Sequence, residues 1–224
     1  MTALPPRLVI FDVDGTLVDS QNHIVASMST AFGTVGLPLP ERETLLGVVG
    51  LSLPLALARL APQAPESTVR TMVEAYKETF GATRMAQDAP LYPGAMEVLH
   101  RLRDEPGTAL GIATGKSRRG LDHMMDIYGL HGMFQTTQVA DDHPSKPHPA
   151  MLLAALDATG HSAAEAVMIG DTSYDIEMAR AAGLHAIGVS WGYHRREVLH
   201  AAGAHLVIDS YADLPAALGR EGGR

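Results

Sequence analysis

The sequence has no cysteine among its 224 residues, which removes disulfides, thiolate metal sites and cysteine nucleophiles from consideration. Runs of basic residues are missing too. Lysine and arginine total 17 against 25 acids, a formal net charge of −8, and a nucleic-acid partner would need a basic surface to release counterions. Long apolar runs are also absent. The stretch Leu51–Leu60 is interrupted by Ser52, Pro54 and Arg59 and is too short to span a bilayer, so no membrane partner is expected. Met1 to Arg7 carries no basic region ahead of a long apolar segment, and the apolar run Leu8–Phe11 ends in Asp12; a secretory signal is not expected. The eleven histidines are scattered and form no His-Glu-x-x-His pattern, so they read as surface or packing residues. With 46% hydrophobic and 19% charged residues, disorder is excluded as well, and a globular, cytoplasmic protein is the expectation.

What is present is an alternation. Leu8–Phe11 is a continuous apolar run between prolines and a glycine turn, the pattern of a strand buried on both faces of a parallel sheet. Similar runs recur at Thr108–Thr114, Ala166–Gly170, His185–Ser190 and His205–Ile208. Helical patterns lie between them at Pro93–Arg103, with Pro93 placed as a first-turn residue, and at Ser117–Tyr128, Pro149–Ala158 and Tyr174–Ala182. Strands alternating with helices predict an α/β fold with a doubly wound, Rossmann-like parallel sheet and ligands at the carboxyl ends of its strands.

One region departs from the alternation. Between about Ser20 and Ala89 no strand pattern occurs, while Ile24, Met28, Ala31, Phe32 and Val35, and again Val69, Met72, Val73, Tyr76 and Phe80, keep helical spacing. A small helical domain over residues 20–89, inserted after the first strand, is therefore expected above a core of residues 1–19 and 90–224. Pro38–Pro40 and Ala89–Pro93 mark its bends and hinges, and the tail Gly219–Arg224 is expected to fray.

Four segments carry chemistry. In Asp12-Val13-Asp14-Gly15-Thr16, two carboxylates two residues apart end a buried strand. Like charges that close repel, and a divalent cation resolves the conflict; oxygen-only ligands favour magnesium over zinc. Thr114-Gly115-Lys116-Ser117 is a second strand end running into a helix, able to offer a hydroxyl and a backbone N–H to a phosphate oxygen. Lys146, between Ser145 and Pro147, is held on stiff backbone and suits neutralisation of a fixed anion. Gly170-Asp171-Thr172-Ser173-Tyr174-Asp175 places one acid at a strand end and another one turn into the next helix. Each segment alone also reads as a turn, a cap or an exposed lysine. Their shared position at one sheet edge is what those readings leave unexplained.

In this order the four segments resemble the haloacid dehalogenase-like hydrolase superfamily, in its phosphoglycolate phosphatase-like branch with a helical cap. The resemblance implies a magnesium-dependent phosphatase acting on a small phosphorylated metabolite, with 2-phosphoglycolate as the first candidate, as a monomer or homodimer. It implies that Asp12 is the nucleophile that becomes an aspartyl-phosphate and that Asp14 is general acid and then base. Thr114 and the Gly115 amide would hold the phosphoryl group, and Lys146 would offset charge on phosphate and on Asp12. Magnesium would rest on Asp12, the Asp14 main-chain oxygen and Asp171, with Asp175 reaching it through water. A pyrophosphatase or a sugar-phosphate mutase would share these motifs, and the loop Leu46–Ser52 with Arg42 is expected to form the specificity surface. Dehalogenation is disfavoured because Asp14 is present.

Two rivals come from other classes. A receiver-like phosphoacceptor module also keeps acids, a hydroxyl and a lysine at sheet edges, but it carries adjacent acids and no inserted helical region. A nucleotide-binding P-loop would need glycine at position 110, where Leu110 stands.

Overall fold

The computed structural model describes residues 7–86 and 89–219, with side chains described for all of these but 83–86. The opening residues 1–6, positions 87 and 88 of the expected insert, and the expected frayed tail beyond Gly219 lie outside the described residues. Strand β1 (Leu8–Phe11) is followed by four helices, α1 (Gln21–Thr34), α2 (Arg42–Leu46), α3 (Leu53–Leu60) and α4 (Glu66–Ala86). The alternation then runs α5 (Ala95–Asp104), β2 (Ala109–Thr114), α6 (Arg118–Tyr128), β3 (Thr136–Val139), α7 (Ala150–Thr159) and β4 (Ala166–Gly170). It closes with α8 (Ser173–Ala181), β5 (His185–Val189), α9 (Arg196–Ala201), β6 (Leu206–Ile208) and α10 (Leu214–Ala217).

The six strands form one parallel sheet in the order β3-β2-β1-β4-β5-β6. In β1, Val9 and Phe11 enter one apolar layer with Val98 and Leu102 of α5 and Leu121 of α6. Leu8 and Ile10 enter the opposite layer with Met151 and Leu152 of α7 and Ile176 of α8. That period-two division is why β1 reads as an unbroken apolar run: both faces are covered. The strand order reverses at β1, whose neighbours β2 and β4 are reached by crossovers in opposite directions, so a crevice opens at the carboxyl ends of β1 and β4.

Between β1 and β2 the chain is helical, and it has its own apolar centre. Ile24, Met28 and Phe32 of α1 pack with Val69, Met72 and Val73 of α4, together with Leu45 and Leu57 from α2 and α3. Each such buried Leu, Phe or Met contributes about 1.5–3 kcal/mol, so this helical cap holds itself together without borrowing the sheet's core. The chain leaves for the cap and returns from it side by side. The Asp19 amide donates to the Pro90 carbonyl at 2.8 Å and the Tyr92 amide to the Leu17 carbonyl at 2.9 Å.

Two sequence readings need correction. Strand β3, Thr-Thr-Gln-Val, was not expected; it is an edge strand with a single neighbour, and half-buried polar residues suffice where only one side is paired. Pro93 stands ahead of α5 rather than in its first turn, because Gly94 takes the capping position at φ 83°. Among the described residues no helix is long and apolar enough to cross a membrane.

Candidate active site

The expected residues meet at the carboxyl ends of β1, β2 and β4. Asp12 follows β1, Thr114 ends β2 and Asp171 follows β4; all three are buried. Carboxylate oxygens of Asp12, Asp171 and Asp175 lie within 4.8 Å of one another. Lys146, fully buried, places its Nζ 3.0 Å from Asp12 Oδ1 and 2.6 Å from Asp175 Oδ1. One ammonium therefore stands among three buried carboxylates.

The electrostatics show the imbalance. Burial pushes the Asp12 carboxyl up to about 7; Lys146 pulls against that rise and Asp175 adds to it. Burial also drives Asp171 well above the carboxylate range, reinforced by Asp175 and Asp12 and opposed by donors from Tyr193 and Thr16. For Lys146, burial works against the charge, yet Asp12 and Asp175 hold it above the ordinary lysine value. The Asp12 carboxylate is fully buried, with Lys146 Nζ at 3.0 Å from Oδ1 as its one ion-pair partner among the described residues. Three buried carboxylates with one ammonium among them are costly, and an all-oxygen pocket with surplus negative charge fits a hard divalent cation.

The surrounding backbone fixes these groups. Asp171 accepts the Thr16 hydroxyl on Oδ1 at 2.8 Å and the Tyr193 amide on Oδ2 at 2.9 Å. The Thr16 carbonyl in turn accepts from Trp191 Nε1 at 3.1 Å and the Tyr211 hydroxyl at 2.9 Å. Asp175 is the third helical residue of α8 in a capping box, with Oδ2 taking the Thr172 amide at 3.0 Å and hydroxyl at 2.7 Å. Gly15 turns the chain at φ 82°, and a β-carbon there would come within 2.2 Å of Asp171 Oδ2. The motif glycine is thus required both by conformation and by the approach of a carboxylate.

Asp14 is handled differently. Its carboxylate lies outside the trio; Oδ1 accepts from Lys116 Nζ at 2.7 Å and from the Ser20 hydroxyl, which also meets the Tyr193 hydroxyl at 3.0 Å. Burial, and then the Asp14 charge, push the Tyr76 phenol up. Thr114 Oγ1 accepts the Lys116 amide at 3.2 Å. The backbone at Gly115 runs so close to the cap that a β-carbon would meet the Gly50 carbonyl oxygen at 2.7 Å. Leu110 lies inside β2, so the segment ending in Gly115-Lys116-Ser117 has no P-loop turn ahead of it.

Above this floor a cavity of about 1720 Å³ opens between core and cap, lined by Asp12, Asp14 and Thr114 below. Of the expected specificity loop, Val48 to Ser52 line the cavity, and the loop is pinned to the core. The Ser52 amide donates to Ser145 Oγ at 2.8 Å, and the Gly47 carbonyl accepts from Tyr174 Oη at 3.0 Å and lies 3.2 Å from His194 Nε2. Arg42 instead donates to Gln21 and Asn22 and is not part of the lining. Sequence reasoning did not single out Thr16 as a partner of Asp171, the pairing of Lys116 with Asp14, or the segment Trp191–His194. Gly192, three residues after β5 and at the same sheet edge as the other segments, was the available signal for the last.

Known proteins resemble the chain over nearly its whole length. A family model described as haloacid dehalogenase-like hydrolase matches residues 9–189. "Probable phosphatase IndB" of Dickeya dadantii is 36% identical over 211 residues, covering 92% of this chain and 91% of that protein. A phosphoglycolate phosphatase of Haemophilus influenzae is 28% identical over 217 residues, covering 93% and 96%. The crystal structure of a "predicted phosphatase" from Clostridium acetobutylicum superposes with a TM-score of 0.86 at 26% identity, covering 96% of this chain and 99% of that one.

Proposed function

The chain belongs to the haloacid dehalogenase-like hydrolases, and from that premise we propose that it is a magnesium-dependent phosphatase of small phosphate monoesters, working through an aspartyl-phosphate on Asp12. The observation that carries the reading is the buried trio Asp12, Asp171 and Asp175 with a single lysine, Lys146, paired to Asp12 Oδ1 and Asp175 Oδ1 among them. Asp12, Asp171 and the Asp14 main-chain oxygen would hold the cation, and Asp175, whose oxygens already take Lys146 and Thr172, would reach it through water. When bound, magnesium neutralises the surplus charge and screens an anionic ester from an anionic nucleophile.

The remaining steps belong to the chain's own groups. Asp12 Oδ attacks phosphorus as the bond to the leaving oxygen breaks, and Asp14 gives that oxygen a proton. Asp14 then takes a proton from water, which attacks the phosphorus of the aspartyl-phosphate and frees Asp12 and phosphate. Thr114 and the Gly115 amide are proposed to hold the phosphoryl oxygens, and Lys146 to fix Asp12 while offsetting developing charge. Lys116 and Ser20, both on Asp14 Oδ1, orient that side chain. Residues 20–89 are taken as the cap and the rest as the core. A cytoplasmic enzyme acting on a soluble metabolite accords with this chemistry, and 2-phosphoglycolate, the compound in the Haemophilus relative's name, is the reference substrate. Turnover of p-nitrophenyl phosphate with and without magnesium tests the reading: catalytic, metal-dependent release supports it, and its absence removes it.

A further inference from the structure

We propose that the alcohol this cap selects is flat and uncharged, an arylalkyl or similar apolar phosphate monoester rather than a phosphorylated carboxylic acid. The inference rests on the phosphatase reading and refines it.

The wall of the cavity facing Asp14 is apolar and aromatic. Ile24 and Met28 of α1 and Tyr76 and Phe80 of α4 all line it. The Tyr76 and Phe80 rings stack with centroids 5.6 Å apart and planes 12° from parallel, and the His23 ring meets Phe80 edge-on at 6.2 Å. This wall reaches the chemistry directly: Lys116 Nζ lies 5.1 Å from the Phe80 ring centroid while bonded to Asp14 Oδ1 at 2.7 Å. Asp14 is the group placed beside the leaving oxygen, so whatever hangs from that oxygen lies along these rings. A flat apolar body there gains ring–ring contact and sheds water.

The charges in the lining point the same way. A carboxylate on the leaving group would need a cation free to receive it. Lys116 is committed to Asp14. Arg118 donates to the Thr137 hydroxyl and carbonyl and to Asp142. Lys77, on the cap, pairs with Glu74 at 3.5 Å, and Glu78, Asp122 and Asp141 add further negative charge to the lining. Arg119 is exposed on α6, on the core side of the cavity. Among the described lining residues, then, the cap wall beside Asp14 presents Ile24, Met28, Tyr76 and Phe80, and the one described lysine of the cap lining, Lys77, has Glu74 beside it, which leaves Arg119 on the opposite, core side.

The test compares benzyl phosphate with 2-phosphoglycolate at saturating magnesium. Both are esters of primary alcohols, so a difference in kcat/KM reports recognition more than leaving-group chemistry. We expect benzyl phosphate to be favoured at least tenfold, the range expected for burying one aromatic body. In Phe80→Ala and in Tyr76→Ala that ratio should fall by about tenfold, chiefly through KM for benzyl phosphate. A wild-type preference for 2-phosphoglycolate, or a ratio unmoved by both substitutions, overturns the inference while leaving the phosphatase reading intact. The wild-type ratio decides alone if either variant fails to fold. Absence of turnover with these esters and with p-nitrophenyl phosphate overturns the phosphatase reading, and this inference with it.

Discussion

The Thr16 hydroxyl donates to Asp171 Oδ1 at 2.8 Å, joining segments 155 residues apart in sequence inside a fully buried environment. Thr16 lies in the turn after β1 and Asp171 follows β4, so this bond adds a side-chain tie to the ladder that already pairs the two strands. Removing the hydroxyl leaves a buried carboxylate short of one donor, at a cost of about 1–3 kcal/mol. Thr16→Val should therefore lower stability by that amount and raise the magnesium concentration for half-activation by about tenfold. Thr16→Ser should keep most of both properties. Magnesium titration of activity in the two variants checks this.

Gly192 presses on the same carboxylate from the other side. A β-carbon at position 192 would lie 2.1 Å from the Asp171 β-carbon, next to backbone and not to a flexible chain end. Something must shift, and Asp171 is the nearest group. Gly192→Ala should cost about 1–3 kcal/mol of stability and weaken magnesium activation. Activation unchanged from wild type would show that Asp171 tolerates the displacement.

Metal binding should appear as stability, because the trio is overcharged without it. At a magnesium concentration about 100 times its Kd, linkage gives about 2.7 kcal/mol, or roughly 5–10 °C in Tm for a chain of this size. Asp171→Asn should lose most of that shift. Melting curves in chelator and in magnesium measure both, with no need for turnover.

The sheet and the trio were legible in the sequence because each depends on short local signals. Both-faced burial makes β1, β4 and β5 read as apolar runs, and the residue directly after each such run must emerge at the same edge. Asp12 and Asp171 could thus be placed together from strand ends alone. Strand β3 escaped because an edge strand needs little apolar surface. The pairing of Lys116 with Asp14 escaped for another reason. It is set by how far the β2–α6 turn leans toward the β1 turn, and residue type and spacing do not encode that distance. The cap surface was half legible. Its loop at 48–52 does face the cavity, but the Tyr76–Phe80 stack shows in sequence only as part of a helical stripe, where core packing and a cavity wall look alike.

Away from the site, the His185 ring stacks on His205 with centroids 3.9 Å apart, and Arg180 Nη1 lies 2.9 Å from His205 Nε2. Burial first, then the charges of His205 and Arg180, hold the His185 pKa below its ordinary value. A depressed folded-state pKa means that the unfolded chain binds the proton more readily. The contribution is therefore present above about pH 6.5, the unfolded value, and is lost as pH falls through the folded one. His185→Asn should lose less Tm than wild type between pH 7 and pH 5, by a few degrees at most given the exposure of the pair. Equal slopes in the two proteins would remove His185 from the acid response.

Asp12→Asn separates chemistry from architecture most sharply. The substitution keeps shape but removes the attacking charge, so turnover should fall by about a thousandfold or more, with kcat carrying the loss. Ordinarily, replacing a buried ion-paired acid destabilises a protein by stranding its partner. Here Lys146 retains Asp175 at 2.6 Å, and Asp12 itself is a carboxylate that burial already disfavours as an anion. Metal-free Asp12→Asn should therefore melt at or above the wild-type temperature while gaining less from magnesium. A variant that melts well below wild type would mean that the Asp12–Lys146 pair holds the fold together. One that turns over normally would place the nucleophile on another residue.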